Sequence, residues 1–163
     1  MLYRPYAPQD FDMLYALEEV CFEPPFRFSR RTMRLLIQHP YTATWIAEES
    51  GHMAGFAIVQ RTPGDRSSSR GSERGVAAYI QTIEVAPAAR GRGVGGELLA
   101  HIEESARTAG ACLIWLHVEA ENLRAIRLYE SQGYIRKGKR ANYYPQGLAA
   151  LIYVKVLDSG AGN

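Results

Sequence analysis

From Ala89 to Gly96 the chain places two arginines and four glycines in eight positions, Ala89-Arg90-Gly91-Arg92-Gly93-Val94-Gly95-Gly96. The stretch stands between a strand-like run, Ala77 to Val85, and a run at helical spacing that carries Leu98, Leu99, Ile102, Ala106 and Ala109. A helix N-terminus offers unpaired N–H groups and a partial positive charge, and glycines let a ligand approach the backbone closely. Together these features make an anion site suited to a pyrophosphate, with Arg90 and Arg92 adding charge at its rim. A flexible strand-to-helix turn would be served by a single glycine; four glycines with two arginines point to phosphate. No Gly-Lys-Ser/Thr is present, which sets aside a Walker-type loop. Gly91-Arg92-Gly93 followed by Gly96 meets the dinucleotide pattern, but it comes after a meander and no acidic ribose ligand follows in place.

His117 is a second chemical candidate. It alternates with Leu116 and Val118, so it faces away from them, alongside Trp115 and Glu119. An imidazole titrates at about 6.5 and can act as a base at neutral pH. A single strand histidine also occurs as a buried structural residue.

Periodicity and turn chemistry outline the elements that must position these groups. Leu2 to Tyr6 reads as a short strand, and Phe11, Leu14, Leu17 and Cys21 recur at helical spacing. Glu23-Pro24-Pro25-Phe26 breaks that helix, and Ser29 can cap a second one that runs through Ile37 and ends before Pro40. Thr42 to Glu48 and Met53 to Gln60 read as strands joined by a turn at Glu49 to His52, and Ala77 to Val85 as a third. After the glycine-turn helix, stopped by Gly110, Leu113 to Val118 reads as a strand covered on both faces. Asn122 caps a helix to Gln132, with Gly133 in the stop position; strand-like runs follow at Tyr134 to Lys139 and Ala149 to Leu157. This order implies a mixed α/β sheet.

At 163 residues with 47% hydrophobic residues, the chain can build one compact core. No run is long and apolar enough for a membrane span, and the N-terminus lacks the order of a secretory signal. Residues 1–158 are expected to form a single domain, followed by a disordered tail at 159–163. The net charge of +2 comes from 19 basic and 17 acidic residues. Residues 61–75 hold four of those arginines against Asp65 and Glu73; without them 15 basic face 15 acidic residues. That segment reads as a mobile loop, and the balanced remainder is no nucleic-acid footprint. Cys21 and Cys112 match no metal spacing and read as reduced core residues of a cytoplasmic protein.

The run Arg90-Gly91-Arg92-Gly93-Val94-Gly95 resembles the R/Q-x-x-G-x-G/A signature of the GNAT N-acetyltransferases. Within that superfamily, Leu128 to Tyr134 (LYESQGY) and Asn142 to Pro145 (NYYP) are similar to the RimI-type protein N-terminal acetyltransferases. The resemblance implies the GNAT fold, a mixed sheet of about six to seven strands flanked by about four helices. It implies that Arg90 to Gly96 hold the pyrophosphate of acetyl-CoA, that Ile83 and Val85 pair with pantetheine, and that Asn122 and Tyr129 sit near the thiol. The bacterial RimI pattern has a glutamate where this chain has His117. Leu116-His117-Val118 together with Tyr79-Ile80-Gln81-Thr82 is similar to the eukaryotic NatE-type subunit, in which this histidine and tyrosine are catalytic.

The implied chemistry is attack of an amine on a thioester, for which the amine must be unprotonated. An α-amine titrates at about 8 and lysine at about 10.4, so a neutral imidazole suffices for a protein N-terminus. His117 is the expected base, directly or through a water, and Tyr129 the expected acid toward the thiolate. Tyr79 would orient a water or the amine. Glu84 would help draw protons, or is simply a solvated strand-end carboxylate. The oxyanion would meet a backbone N–H near Glu84 or Val85. Phe22, Phe26 and Phe28 on one side and Tyr143 and Tyr144 on the other would embrace the acceptor peptide, or cap the core. The acceptor is a protein N-terminus, or alternatively a small-molecule amine or a lysine, for which Glu18, Glu19 and Glu23 are the candidate carboxylates. An acyl-CoA-binding module without turnover is a further alternative. No metal is expected, nor direct contact with nucleic acid or membrane, and the protein would be a monomer or homodimer.

Overall fold

A computed structural model of the chain describes residues 1–62 and 76–157. In chain order, β1 (Leu2–Pro5) precedes α1 (Phe11–Cys21), α2 (Arg30–Gln38), β2 (Thr42–Glu49), β3 (His52–Thr62) and β4 (Val76–Val85). Then follow α3 (Val94–Thr108), β5 (Ala111–Glu119), α4 (Leu123–Ser131), β6 (Ile135–Arg140) and β7 (Ala150–Val156). The strands form one seven-stranded sheet in the order β1-β2-β3-β4-β5-β7-β6. Only β4 and β5 run parallel; all other neighbours are antiparallel. This is the mixed sheet with four helices that the sequence implies.

Strand alternation sorts the core into two layers. Ile46, Phe56 and Ile58 face α1 and α2, packing on Phe11, Leu14, Leu17 and Met33. Their neighbours Ala47, Ala57 and Val59 face the other way, onto Leu98, Leu99 and Ile102 of α3, in a cluster that also holds Tyr129 of α4. The helix ends follow the expected signals. Ser29 Oγ accepts the Thr32 N–H at 3.1 Å, and Asn122 Oδ1 accepts the Ala125 N–H at 3.2 Å. No helix among the described residues is long and apolar enough to cross a membrane.

The feature that makes room for a site is the parting of β4 from β5. Their pairing ends at Tyr79 opposite Trp115. Beyond it β4 continues to Val85 against β3 alone, and β5 to Glu119 against β7 alone. Opposite β3, Thr82 faces Ile58 and Ile80 faces Val59, so Gln81 is an extra residue, a bulge. It resets the alternation: Ala78 and Ile80 belong to the α3 layer, whereas Glu84 turns toward Glu18 and Cys21 of α1.

Three expectations change. β5 is not covered on both faces. Ile114, Leu116 and Val118 are buried, but Trp115, His117 and Glu119 are only partly covered, because α1 and α2 pack over β2, β3 and β4 and leave that face of β5 open. Cys112 is exposed rather than in the core, and Cys21 is half-buried; both are free thiols. Arg61 and Thr62 extend β3. The rest of the expected loop, 63–75, and the expected tail, 159–163, lie outside the described residues.

Candidate active site

The glycine turn follows β4 and opens α3. Gly91 and Gly93 have φ of +73° and +80°, the left-handed region that a side chain disfavours, and Gly93 is the N-cap. The first hydrogen bond across the helix start runs from Glu97 N–H to Gly93 O at 3.1 Å, so the N–H groups of Val94, Gly95 and Gly96 lack intrahelical partners. They line a cavity of 630 Å³ together with Ile83, Val85 and Arg90. Gly95 has a second reason to be glycine: a Cβ there would stand 3.1 Å from the Leu128 side chain, so its absence lets α4 close against α3.

The two arginines of the turn part company. Arg90 stays at the cavity, with Nε donating to Val85 O at 3.0 Å. Arg92 does not reach it. Its guanidinium is taken bidentately by Glu49 at the end of β2, at 2.9 and 2.7 Å, which points it away from the turn. The cations that the sequence reading missed are Arg124 and Arg127 of α4, on the opposite wall of the cavity. Their signal was available: spaced three apart behind the Asn122 cap, they share one helix face.

A second cavity, of 360 Å³, opens on the α1 side and shares Phe22, Ile83, Asn122, Ala125 and Tyr129 with the first. The two therefore meet where β4 and β5 have parted. One wall of the second cavity is Pro25, Phe26 and Phe28, the other Tyr143 and Tyr144. Phe26 meets Tyr144 edge-on, ring centres 5.1 Å apart. Of the carboxylates considered for a polycationic acceptor, Glu18 is fully buried, and Glu19 and Glu23 do not line this cavity; Glu119 is the carboxylate that does.

Tyr79 and His117 form the floor. The Tyr79 hydroxyl lies 2.9 Å from His117 Nδ1, and the Tyr143 hydroxyl 3.5 Å from the same atom. The Tyr143 ring stacks on the imidazole at 4.4 Å. Nε2 is enclosed and has no hydrogen-bond partner. Burial lowers the His117 pKa below its usual value, and the charge of Arg140 adds to this, so the imidazole is neutral at pH 7. Burial raises the phenols of Tyr79 and Tyr129, and pushes Tyr144 up to about 12. Tyr129 is 7% exposed and lines both cavities.

Glu84 is not a solvated carboxylate. It is 3% exposed, and burial, with Glu18 beside it, raises its pKa. That disfavours the charge with which it would draw protons from a cationic amine. The oxyanion donors shift as well. Ala86 N–H bonds to Ala54 O on the β3 side, so by ladder alternation Ile83 and Val85, rather than Glu84, turn their backbone groups toward the gap.

The chain is similar in sequence and in fold to known acetyltransferases. The chain is 35% identical over 97 residues to the [ribosomal protein bS18]-alanine N-acetyltransferase of Escherichia coli, 60% of this chain and 57% of that protein. It thus spans a little over half the length of the curated relatives it first matches. It is 31% identical over 137 residues to N-alpha-acetyltransferase RimI of Mycobacterium tuberculosis, 84% of this chain and 76% of that one. The crystal structure of the E. coli ribosomal-protein-S18-alanine N-acetyltransferase superposes with a TM-score of 0.80 at 28% identity, covering 99% of this chain and 96% of the other. Arabidopsis thaliana NAA60, crystallised with acetyl-CoA, shares the fold at a TM-score of 0.83 and 21% identity, over 96% and 98% of the two chains. The profile of the acetyltransferase (GNAT) family matches residues 11–134, from the start of α1 through the glycine turn to Tyr134 behind α4. With its split strands, glycine turn and capped α4 inside that match, the chain belongs to the acetyltransferase (GNAT) family.

Proposed function

We propose that the chain transfers the acetyl group of acetyl-CoA to the free α-amine of a protein N-terminus, ribosomal proteins among the acceptors. The observation that carries this reading is the meeting of the two cavities at Tyr129 and Asn122, with the Tyr79–His117 pair on the acceptor side. The relatives' names point to the same acceptor class. So does the acceptor cavity, whose aromatic walls suit a peptide start and offer little to a polycation.

In this reading the N–H groups of Val94, Gly95 and Gly96 hold the diphosphate at the N-terminus of α3, and Arg90, Arg124 and Arg127 add charge around it. The backbone N–H groups of Ile83 and Val85, turned toward the gap, align the pantetheine arm and offer a donor to the developing oxyanion, while Val85 O stays with Arg90. Asn122 and Tyr129 sit at the thioester end.

His117 is the base, acting through Tyr79. With the proton resting on Nε2, Nδ1 accepts from the Tyr79 hydroxyl at 2.9 Å. The Tyr79 hydroxyl takes a proton from the attacking amine as it hands its own to Nδ1. An α-amine at about 8 loses that proton far more readily than a lysine at about 10.4, so the lowered imidazole is matched to the N-terminal substrate. Tyr129 stabilises the leaving thiolate. A thiol titrates at about 8.5 and this phenol lies above its usual value, so full proton transfer to sulfur is uphill. Tyr129 therefore acts by donating a hydrogen bond; the released thiolate takes its proton from water, and the imidazolium gives its own back to solvent.

The test is incubation with acetyl-CoA and short peptides that vary in first residue, with N-terminally blocked lysine peptides and spermidine alongside, read by mass spectrometry. Acetylation of free α-amines is expected. Modification of lysine or spermidine with α-amines untouched would overturn the reading.

A further inference from the structure

Glu18 of α1 and Glu84 of β4 are two buried carboxyls that the mechanism leaves unused, at 0% and 3% exposure. Each has one oxygen accounted for. Glu18 Oε1 accepts the Phe28 N–H at 2.8 Å, and Glu84 Oε1 accepts from the Thr82 hydroxyl at 3.1 Å. The other oxygen of each, Oε2, is enclosed without any N–H or O–H donor. Two ionised carboxylates facing one another out of water repel, and each leaves a lone pair unsatisfied. A single proton removes both faults, since one Oε2 then donates to the other.

We propose that Glu18 and Glu84 share one proton, and that this bond fastens the acceptor-binding segment Phe22–Phe28 to β4. The chain of contacts runs from Phe28 N–H to Glu18, across the proton to Glu84, and on to Thr82 in the bulged strand. Tyr15 holds the same segment from the other side, its hydroxyl donating to Phe28 O at 2.9 Å. Phe28 is thereby fixed at both its N–H and its C=O, and Phe26 is carried with it into the acceptor wall. The other groups that face the pair are the Cys21 thiol on α1 and, behind it, the Arg90 guanidinium at 3.8 Å from that sulfur. The raised pKa of Glu84, due first to burial and then to Glu18, agrees with a proton held there at neutral pH. Glu18 and Glu84 are positioning residues: neither touches the reacting atoms.

The shared proton stands apart from the proposed function; its consequence for the acceptor rests on that function. The experiment therefore reads both. Infrared spectroscopy of the wild type near neutral pH is expected to show the C=O stretch of a protonated carboxyl. Among the described residues the other buried carboxyls, Asp10 and Glu103, pair with Arg4 at 2.7 Å and Lys155 at 3.0 Å, and loss of the band in Glu18→Gln assigns it to the Glu18–Glu84 pair. In Glu18→Gln the amide oxygen still accepts from Phe28 and the amide N–H donates to an ionised Glu84, so the band disappears while the bond survives. The acceptor KM of that variant is expected within about twofold of wild type. Glu18→Leu, which has no donor or acceptor, is expected to raise the acceptor KM about tenfold with the acetyl-CoA KM within about twofold. Absence of the protonated band in the wild type would overturn the proposal, as would a Glu18→Gln acceptor KM as high as that of Glu18→Leu. If Glu18→Leu does not fold, the spectra of the wild type and Glu18→Gln decide. Should no acceptor be acetylated at all, the function reading fails and the band still tests the proton.

Discussion

The Tyr79 hydroxyl and His117 Nδ1, on two strands that stop pairing at that level, stand 2.9 Å apart. In the proposed mechanism Tyr79 relays the proton between the acceptor amine and the imidazole. His117→Ala should lower kcat by about 10²- to 10⁴-fold, the range for loss of a general base. Tyr79→Phe should lower it too, because the relay loses its middle member. CoA affinity, measured by calorimetry, should stay near wild type in both. Wild-type turnover in either variant would remove the relay.

The lowered His117 pKa sets a pH dependence. Only the neutral imidazole accepts a proton, so activity should carry an acidic limb below about 6.5, the usual imidazole value, because the folded value is depressed. The amine adds its own limb near about 8. His117→Ala should keep the amine limb and lose the lower one in its residual kcat/KM profile. The stability sign follows: a base with a depressed folded pKa contributes fully above the unfolded value, and that contribution is lost as pH falls through the folded value.

Tyr129→Phe should slow the chemical step about tenfold while leaving CoA affinity unchanged, since a hydrogen bond to the thiolate is worth about 1.5 kcal/mol or somewhat more. Transient kinetics under single-turnover conditions separate this from product release. An unchanged single-turnover rate would exclude Tyr129 from the reacting centre.

The arginines divide into two groups. Arg124→Ala and Arg127→Ala should each weaken CoA binding several-fold, more so at low salt, because both line the glycine-turn cavity from α4. Arg92→Ala should leave CoA binding within about twofold, its guanidinium being occupied by Glu49. Titration calorimetry at two salt concentrations distinguishes them.

These arginines also show where the sequence stops being informative. Ser29, Asn122, Gly110 and Gly133 could be placed because caps and left-handed stops are local and depend on few neighbours. The Arg90 to Gly96 turn was legible for the same reason. Arg92 belonged to the turn by sequence but is claimed by Glu49, a residue 43 positions away. Glu84 read as a strand-end carboxylate because the bulge at Gln81, which aims it at Glu18, depends on the register against β3. The half-open face of β5 is likewise set by which strands α1 and α2 cover, and nothing in the run Leu113 to Val118 encodes that.

Away from the site, Arg4 clasps Asp10 at 2.7 and 2.8 Å and reaches Glu48 at 2.9 Å. Asp10 is 2% exposed, and its hydrogen bonds to Arg4 hold its carboxyl below the usual range. Its contribution to stability is therefore present above the unfolded value of about 3.9 and lost as pH falls through the folded one. Arg4→Ala leaves that carboxylate buried without its partner and should cost about 3 kcal/mol, read from chemical denaturation at neutral pH. A loss below about 0.5 kcal/mol would show that Asp10 is satisfied by the Ala7 N–H alone.

The claim on which the mechanism depends is that the parted ends of β4 and β5, with the first turn of α3, hold a coenzyme A thioester. Isothermal calorimetry of the protein with CoA tests it most directly. One-to-one binding in the micromolar range is expected, with a weaker, salt-sensitive isotherm for Arg124→Ala/Arg127→Ala. No heat from CoA at millimolar concentration would contradict it.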